Sequence, residues 1–318
     1  MDPLTFWALE LIRAFQSLGG WLTPPMRFFT FLGTEEFFLL VLPLIFWCIS
    51  RSRGVELAVL LLVSAGLNEW AKGLFKLPRP FWLEPGIALS SETSFGLPSG
   101  HAQHALALWG YLAIILRGLW RWLLVVLLVL IALSRLYLGV HFPWDTLAGW
   151  LLAVLVLVGF FGLRPRLMPV LRRWPLRLHA LAACLMAAFA LALYLLAAAL
   201  PTGEPTRYGA LFTTALAGVY QAGGTIAGMI IGIWIGFVVA ERHVRFDVRG
   251  PLWQLALRVV IGVAALLALR FGLKAIFPEE PLALGLALRV LRYAIMMLWV
   301  AVGWPWLFLR VGLARRSE

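Results

Sequence analysis

The residues of this sequence that could do chemistry fall into three polar clusters, which long apolar segments separate. The clusters span 72–80, 98–101 and 134–145. The chain has only five His and three Asp, yet these clusters hold two of the His and one of the Asp, together with several cations. Such a concentration of scarce residue types indicates one site that binds an anion and moves protons.

Cations and a helix start predict that the site binds a phosphoryl group. Lys72, Arg79 and Arg135 come from different parts of the chain, and the planar fork of Arg matches phosphate oxygens. Ser99 stands directly before an apolar segment, where it can cap a helix whose N-terminal amides favour an anion. Gly100 would let the backbone approach that anion.

A histidine pair supplies groups for nucleophilic and acid–base steps. His141 and Asp145 are four residues apart, across a helix start predicted at Pro143. The carboxylate can hold one ring nitrogen, which fixes the tautomer and leaves the other nitrogen free to attack. His101 remains as a proton donor for the leaving oxygen.

The elements that must position these clusters are membrane helices. Apolar residues make up 62% of the 318-residue chain and charged residues 13%, with a mean hydropathy of +0.91. In a soluble domain, roughly 45–50% of the residues are apolar and about 25% are charged. Sixteen Trp and 21 Phe argue against disorder. We therefore predict an all-α, polytopic membrane protein with nine transmembrane helices and an N-terminal interfacial amphipathic helix within 1–22. The predicted spans are 37–50, 55–75, 101–116, 120–138, 144–163, 178–200, 216–240, 252–273 and 282–309.

The net charge of +12 could reflect nucleic-acid binding or charge kept on one membrane face. The hydropathy favours the second explanation, so we predict no nucleic-acid partner. Fifteen of the 27 basic residues lie in every second connection or in the C-terminal tail, which the positive-inside rule places in the cytoplasm. The three clusters then face the extracytoplasmic side, and we expect the inner (plasma) membrane of a bacterium. Cys48 and Cys184 lie in apolar runs, so the sequence predicts neither a disulfide framework nor a metal site.

Further polar residues have both a structural and a functional interpretation. Gln103 and His104 follow His101 and could face the lipid entrance, although hydrogen bonds between helices are the simpler explanation. Arg289 and Arg292, within the ninth span, could contact a substrate phosphate, form a buried ion pair or snorkel to the interface.

Three other patterns have simpler explanations. Arg258 and Arg270 lie near span ends, where snorkelling is expected. Carboxylates of the outer loops, including Glu92, are expected to be solvated. The seventh span has glycine at every fourth position, which permits close approach of a helix from the same chain or from a second copy in a homo-oligomer. These glycines are Gly224, Gly228, Gly232 and Gly236.

The spacing of the clusters resembles a known signature. Lys72 is followed after six residues by Arg79-Pro80, then by Pro98-Ser99-Gly100-His101, and then by Ser134-Arg135 with five residues to His141 and three more to Asp145. This order resembles the complete three-part signature of the type 2 phosphatidate phosphatase superfamily, in its membrane-bound lipid-phosphatase branch. The resemblance covers roughly residues 30–163.

The resemblance implies a helical core and hydrolysis that requires neither metal nor cofactor. His141 would attack phosphorus to give a phosphohistidine, Asp145 would orient it, and His101 would protonate the leaving group. The groups that would hold the phosphoryl oxygens are Lys72, Arg79, Ser99, Gly100 and Arg135. The predicted segments are an interfacial amphipathic helix in 1–30, a five-span phosphatase core in 31–163 and a four-span extension in 164–318.

These patterns predict a membrane lipid phosphatase that releases the terminal phosphate of a lipid phosphate or diphosphate in the bilayer. A polyprenyl diphosphate is favoured, because the predicted site is extracytoplasmic and 95–103 is similar to dolichyl diphosphate phosphatases. Phosphatidate, phosphatidylglycerophosphate and a sphingoid phosphate are the other candidates. A lipid phosphotransferase would share the first half-reaction, and a lipid-phosphate transporter would use the same anion site.

Overall fold

A computed structural model describes residues 2–201 and 205–317, and its regular structure is helical. The N-terminal part contains α1 (Pro3–Gln16), a 3₁₀ turn (Gly20–Leu22), α2 (Thr23–Phe31) and α3 (Glu35–Leu44), which continues as a π-helix (Ile45–Ile49). Next come α4 (Arg51–Phe75), α5 (Pro80–Leu83), a 3₁₀ turn (Pro85–Ile87), α6 (Gly100–Ile115), α7 (Leu119–Tyr137) and α8 (Pro143–Leu171). The remaining elements are α9 (Leu176–Ala199), α10 (Pro205–Tyr208), α11 (Ala210–His243), α12 (Leu252–Ile276), α13 (Leu282–Leu298), a π-helix (Trp299–Gly303) and α14 (Trp304–Arg310).

Helices occupy all nine predicted spans, but fewer are long and apolar enough to cross a bilayer. Within the described residues seven helices meet that requirement, or eight if the pair Gly20–Phe31 and Glu35–Ile49, bent by 48°, is one span. The 16-residue α6 falls short, because it rises about 24 Å and a hydrocarbon core is roughly 30 Å thick. The predicted all-α membrane class is confirmed, with seven or eight spans by length and composition in place of nine.

The chain divides into two compact units. The first contains 1–38, 63–162 and 196–219, and the second contains 39–62, 163–195 and 220–318. In the first unit, α10 and the start of α11 lie where the sequence predicts a connection over 201–215, of which 202–204 lie outside the described residues. The functional division into 1–30, 31–163 and 164–318 stays a prediction.

In the first unit, apolar packing between α6 and α7 brings two of the polar clusters together. Ala105 of α6 is buried with Leu128 and Ile131 of α7, and Leu32 and Trp109 pack around them. The second cluster ends on the first residues of α6, and the third begins on the last residues of α7. A core of this kind fixes the two helix ends relative to each other.

The N-terminal helix α1 packs on the loops that carry the clusters. Leu9 and Ile12 are buried against Ile87 and Phe142. The other face leaves large apolar side chains uncovered, and Trp7 is 52% exposed. The helical prediction for this segment is confirmed, and its place at the membrane interface stays a prediction.

The second unit has an aromatic core and a buried cation. Trp47, Phe246 and Phe308 are buried together. Arg258 of α12 is fully buried beside them, and its Nε and Nη2 donate to the carbonyl oxygen of Leu313 at 2.9 and 2.7 Å. The predicted snorkelling of Arg258 is therefore wrong, because backbone carbonyls inside the unit satisfy the guanidinium.

The glycine stripe of the seventh predicted span lies against another helix of the second unit. A Cβ at Gly232 would lie 2.6 Å from the carbonyl oxygen of Ala294 and 2.6 Å from Cβ of Met297, so no larger residue fits without a shift. The other stripe glycines, Gly224, Gly228 and Gly236, likewise approach α13 or the π-helix that follows it. Of the two explanations for the stripe, packing within the chain accounts for it.

Candidate active site

The first cluster lies where α4 ends. Lys72 is on the last turn of α4, and Arg79 directly precedes α5. Between them, Lys76 has a left-handed backbone with φ of 50°, which turns the chain sharply. The Lys76 ammonium donates to the carbonyl oxygens of Ala198 and Leu200 at 3.0 and 2.5 Å. The carbonyls left over at the end of α9 therefore hold this turn.

Arg79 is almost completely buried and connects several parts of the site. Its Nε and Nη2 donate to the backbone oxygen and the hydroxyl of Ser94, at 2.6 and 2.8 Å. Its Nη1 donates to the carbonyl oxygen of Val140 at 2.9 Å and to Nε2 of His141 at 3.0 Å. The Ser94 hydroxyl also accepts from the ammonium of Lys72 at 3.1 Å. The first and third clusters thus meet at one guanidinium.

The turn between α7 and α8 forms the third cluster. Gly139 has φ of +69°, and a Cβ there would overlap the carbonyl oxygen of Ile87, so this position requires glycine. Asp145, on the first turn of α8, accepts from the N–H of Phe142 at 2.9 Å and from Nδ1 of His141 at 3.2 Å. One carboxylate therefore caps the helix and orients the imidazole.

These contacts determine the tautomer of His141. Because Arg79 can only donate, Nε2 carries a lone pair and the proton lies on Nδ1, towards Asp145. Burial, and the positive charges of Arg79 and Arg135, lower the pKa of His141 well below its usual value. The ring is therefore neutral near pH 7, and Nε2 is the nitrogen that can attack a phosphorus atom.

The second cluster lies at the N-terminus of α6. Ser99 precedes the helix, and its N–H donates to the carbonyl oxygen of Asp145 at 2.9 Å. The Ser99 hydroxyl is buried and has no hydrogen-bond partner in the described part of the chain. Gly100 and the half-buried His101 are the first two residues of α6, and His101 is within electrostatic range of His141. This helix end thus offers an unused hydroxyl, N-terminal amides and a second imidazole.

Arg135 is 1% exposed near the end of α7 and forms an ion pair with Glu92. Its Nη1 donates to the hydroxyl of Thr30 at 2.5 Å, and its buried Nε has no hydrogen-bond partner among the described residues. The second carboxylate oxygen of Glu92 lies 3.7 Å from Arg79. Burial alone raises the pKa of Glu92, but the charges of Arg135 and Arg79 outweigh it and lower the pKa to about 2.

Glu92 is the residue of this site that the sequence did not reveal. The expectation of a solvated loop charge is wrong, because its carboxylate bridges Arg79 and Arg135 while Ser94 bridges Arg79 and Lys72. Oxygen atoms of 92–94 therefore lie where the three predicted phosphate-binding cations converge. In the sequence, Glu92 is one of several loop carboxylates, and no spacing distinguishes it from the others.

Gln103 and His104 form hydrogen bonds between α6 and α4. Gln103 Oε1 accepts from Asn68 at 2.8 Å, and Gln103 Nε2 donates to the carbonyl oxygen of Ser64 at 2.9 Å. Nδ1 of His104 lies 2.9 Å from the hydroxyl of Ser64. All four residues are buried, so the contacts support the structural explanation over a place at the lipid entrance.

Arg289 and Arg292 belong to the second compact unit, whereas the three clusters belong to the first. Arg289 lies 3.6 Å from Glu279, and the guanidinium of the buried Arg292 lies 5.3 Å from the ring of Tyr293. Because Glu279 is largely exposed, the ion pair of Arg289 is not the buried pair that the sequence suggested, and a phosphate contact of either arginine stays a prediction.

A segment that no sequence pattern connected with the clusters also packs against them. Tyr208 of α10 contacts Trp82 of α5, with ring centroids 5.3 Å apart. Phe212 of α11 contacts Phe95 at the same centroid distance. Since α5 directly follows Arg79, and Phe95 lies in the loop that binds Arg79, these aromatic contacts support the surroundings of Arg79.

Taken together, the site can bind a tetrahedral oxyanion and attack it. Three buried cations, an unused hydroxyl and helix N-terminal amides supply donors for anionic oxygens. A neutral imidazole with a fixed tautomer supplies the nucleophile, and a second imidazole can move a proton.

Two family models match this chain. The PAP2 superfamily model matches 53–169, and the model described as PAP2 superfamily phosphatase, transmembrane extension, matches 224–316. Phosphatidylglycerophosphatase B from Bacillus subtilis is 30% identical over 150 residues, which are 43% of this chain and 72% of that protein. The chain belongs to the PAP2 superfamily. The resemblance read from the three clusters is thereby confirmed.

Other PAP2-related proteins differ in the substrate that their names state. A probable sphingosine-1-phosphate phosphatase from Dictyostelium discoideum is 35% identical over 39% of this chain, and an undecaprenyl-diphosphatase from Sulfolobus acidocaldarius is 35% identical over 32%. The chain spans about a third of the length of the first relative (34%) and about half of the second (51%). A crystal structure of a transmembrane PAP2-type phosphatidylglycerolphosphate phosphatase from Bacillus subtilis covers 52% of this chain and 88% of its own, with 24% identity and a TM-score of 0.45.

Proposed function

We propose that this protein is an integral-membrane lipid phosphatase that removes the terminal phosphate from a lipid phosphate or diphosphate. The observation that carries the proposal is the position of His141, whose Nε2 lies 3.0 Å from the Arg79 guanidinium while Asp145 holds Nδ1. A nucleophilic nitrogen thus lies beside a donor suited to phosphate oxygens. Membership of the PAP2 superfamily supports the same chemistry.

In the first half-reaction, the cations of the site and the Ser99 hydroxyl bind the phosphoryl oxygens. Nε2 of His141 attacks phosphorus, an N–P bond forms, and the P–O bond to the lipid oxygen breaks. A protonated His101 gives its proton to the departing oxygen, so the lipid leaves neutral at that atom. Asp145 stabilises the positive charge that His141 acquires.

In the second half-reaction, water releases the phosphate. The neutral His101 takes a proton from water while the water oxygen attacks phosphorus, and the N–P bond breaks to return a neutral His141. Glu92 has to leave its two arginines before the phosphoryl group binds, because both anions need the same donors.

The substrate that we favour is a polyprenyl diphosphate, with a sphingoid phosphate, phosphatidylglycerophosphate and phosphatidate as the other members of the test panel. Relatives named for undecaprenyl diphosphate and for sphingosine 1-phosphate reach the same 35% identity. Phosphate release from each lipid, in one detergent and without added metal, ranks them by kcat/KM. A tenfold or greater preference for another member of the panel would displace the polyprenyl substrate. Product analysis with a lipid alcohol present separates hydrolysis from phosphotransfer.

The test of the mechanism is His141→Ala, which should lower kcat/KM by about 1000-fold or more because the nucleophile is lost. A phosphorylated protein should be trapped from wild-type reactions quenched in alkali, where the N–P bond of a phosphohistidine survives, and should be absent from this variant. The matched control is His179→Asn, which keeps an acceptor for the indole N–H of Trp234, now bonded to His179 at 3.0 Å. Wild-type turnover by His141→Ala would refute the mechanism, and transport of labelled lipid that survived this variant would favour a transporter.

The same proposal includes an extracytoplasmic site, which rests on the distribution of arginine over the connections. A green fluorescent protein fused to the C-terminus should fluoresce, since that end is expected in the cytoplasm. A fusion that is dark, although the chain is present in the membrane, would place the site on the cytoplasmic side.

A further inference from the structure

A second group of cations lies in the second unit, where α11 and α14 end. The chain after α14 runs back beside the segment that follows α11. Phe246 and Arg316 form an antiparallel bridge, and the N–H of Asp247 donates to the carbonyl oxygen of Arg315 at 2.9 Å. The N–H of Ser317 donates to the carbonyl oxygen of Arg245 at 3.4 Å. Backbone pairing therefore holds basic residues of two distant segments side by side.

Two adjoining cavities open between these segments. A cavity of about 290 Å³ is lined in part by His243, Trp306, Arg310 and Arg316. A second, of about 230 Å³, shares His243 and Arg316 and is also lined by Arg242 and Arg245. Among residues 2–201 and 205–317, the lining of the two cavities includes four arginines and no carboxylate.

The acidic side chains that the structure describes on these segments have other partners. Glu241 lies 3.1 Å from Arg51, and Asp247 accepts from the backbone N–H of Arg249 at 2.9 Å. Arg310 lies over the ring of Trp306, 5.2 Å from its centroid, and that indole is 49% exposed. An exposed Trp beside arginines is typical of the level of lipid headgroups.

Membrane topology and helix dipoles explain why arginine is common at helix C-termini, but they do not require a cavity. The sequence offers an internal comparison. Arg249 and Arg315 are exposed in the same two segments, yet neither lines either of these two cavities. If membrane topology alone explained these charges, Arg249 and Arg315 would be equivalent to the four arginines that line the cavities. A binding site would depend on those four and not on Arg249 or Arg315.

We propose that the two cavities form a binding site for a phosphoryl anion that is distinct from the catalytic site and is occupied by the headgroup phosphate of an anionic phospholipid or by free phosphate. Guanidinium groups that line one cavity are suited to phosphate oxygens, and Arg242 and Arg245, which donate to the carbonyl oxygens of Trp174 and Glu241 at 2.6 and 3.0 Å, have further N–H groups to offer. Basic pockets between membrane helices are established places for anionic headgroups.

The test compares two double variants of the full-length protein in neutral detergent. Arg245→Gln with Arg316→Gln removes two cavity arginines, and Arg249→Gln with Arg315→Gln removes the same charge beside it. Thermal unfolding is followed with added phosphatidylglycerol, with phosphatidylcholine, and with inorganic phosphate at constant ionic strength. Phosphatidylglycerol, a phosphodiester, has no terminal phosphate for the proposed hydrolysis.

The wild-type protein should be stabilised by phosphatidylglycerol and not by phosphatidylcholine. The concentration for half the effect should rise about tenfold in the cavity variant and stay within about twofold in the neighbouring one. Inorganic phosphate that stabilises the wild-type protein more than the cavity variant would identify a free anion as the occupant. All variants keep the same catalytic site, so any lipid binding there contributes equally to each variant and does not affect the comparison.

The proposal would be overturned if stabilisation by phosphatidylglycerol weakened equally in both double variants or in neither. Either result would mean that the lipid responds only to the overall positive charge of this region. Should the first double variant fail to fold, Trp306→Leu with Arg310→Gln replaces two exposed cavity residues and has to give the same tenfold weakening. None of these results depends on phosphatase activity, so failure here and failure of the proposed function are separate outcomes.

Discussion

Both compact units bury arginine, but they satisfy it in different ways. Arg258, in the second unit, donates to the carbonyl oxygens of five residues, and no acidic side chain accepts from it in the described residues. In the first unit, Arg135 pairs with the side chains of Glu92 and Thr30 and keeps one N–H unused. Arg79 divides its donors between backbone and side-chain acceptors.

The difference separates a structural cation from one that can bind a ligand. Backbone carbonyls cannot leave without unfolding, so Arg258 fixes the segments around it. A carboxylate such as Glu92 can rotate away, and its donors then become available to another anion. Arg79 and Arg135 can thus exchange Glu92 for another anion, whereas Arg258 is permanently engaged by backbone carbonyls.

The largest effect should follow removal of the permanently engaged cation. Arg258→Met would leave buried carbonyls without donors and should lower the free energy of unfolding by about 3–5 kcal/mol. Thermal unfolding in detergent measures the loss, and kcat per folded molecule should stay within about twofold of wild type. Arg270→Met, on the same helix and half-exposed, is the control. Equal stability of Arg258→Met and the control would mean that the carbonyl contacts are not structural.

Arg79, one of the cations that can exchange partners, should affect activity rather than stability. Arg79→Lys keeps the charge but loses the fork that reaches Ser94, Val140 and His141 together. We expect kcat/KM to fall about 100- to 1000-fold, because donors to the phosphoryl group and to the nucleophile are displaced. Arg27→Lys, an exposed change in the same unit, should have less than a twofold effect. Near-normal activity of Arg79→Lys would show that charge alone is needed.

Lys76 is a cation of the first unit that donates to backbone carbonyls, as Arg258 does in the second. It therefore tests whether a cation held by carbonyls is structural in the first unit as well. Lys76→Met should release the end of α9 from the first cluster and lower kcat by about tenfold with a smaller change in KM, because a shifted loop misplaces Arg79. Lys76→Arg should recover part of the activity. Lys274→Met, which removes an exposed charge, is the control. A loss of stability with unchanged kcat would make Lys76 purely structural.

The contact between His141 and Asp145 could be predicted because the two residues are close in the sequence. Asp145 reaches His141 across one helix start, so short-range rules suffice there, whereas Ser99 precedes α6 without the side-chain capping hydrogen bond that its position predicts. Glu92 and Lys76 could not be predicted, because their partners come from distant residues and depend on how loops fold. The same holds for Arg258, whose acceptors come from several separate segments. A hydropathy pattern identifies helices, but it does not reveal which segments supply the hydrogen-bond acceptors of a buried cation.

The smallest predicted effect concerns the exchange of Glu92 for a phosphoryl group at Arg79 and Arg135. Glu92→Gln should lower KM, or the inhibition constant of phosphate, by about three- to tenfold, because the substrate no longer competes with a carboxylate for Arg79 and Arg135. Since the pKa of Glu92 is about 2, the carboxylate is charged throughout the range above pH 4.5, and the effect on KM should not change with pH there. Glu84→Gln, which breaks the surface pair with Arg13, is the control.

The lowered pKa also fixes the sign of the stability effect. Glu92 stabilises the folded protein fully above its unfolded pKa of about 4.3, and this contribution disappears as the pH falls towards 2. The difference in melting temperature between the wild-type protein and Glu92→Gln should therefore shrink between pH 4.5 and pH 2. A variant with raised KM and lowered kcat would show instead that Glu92 acts together with the substrate. In that case the carboxylate would be a permanent partner of the arginines, and the first unit would resemble the second more closely than its contacts suggest.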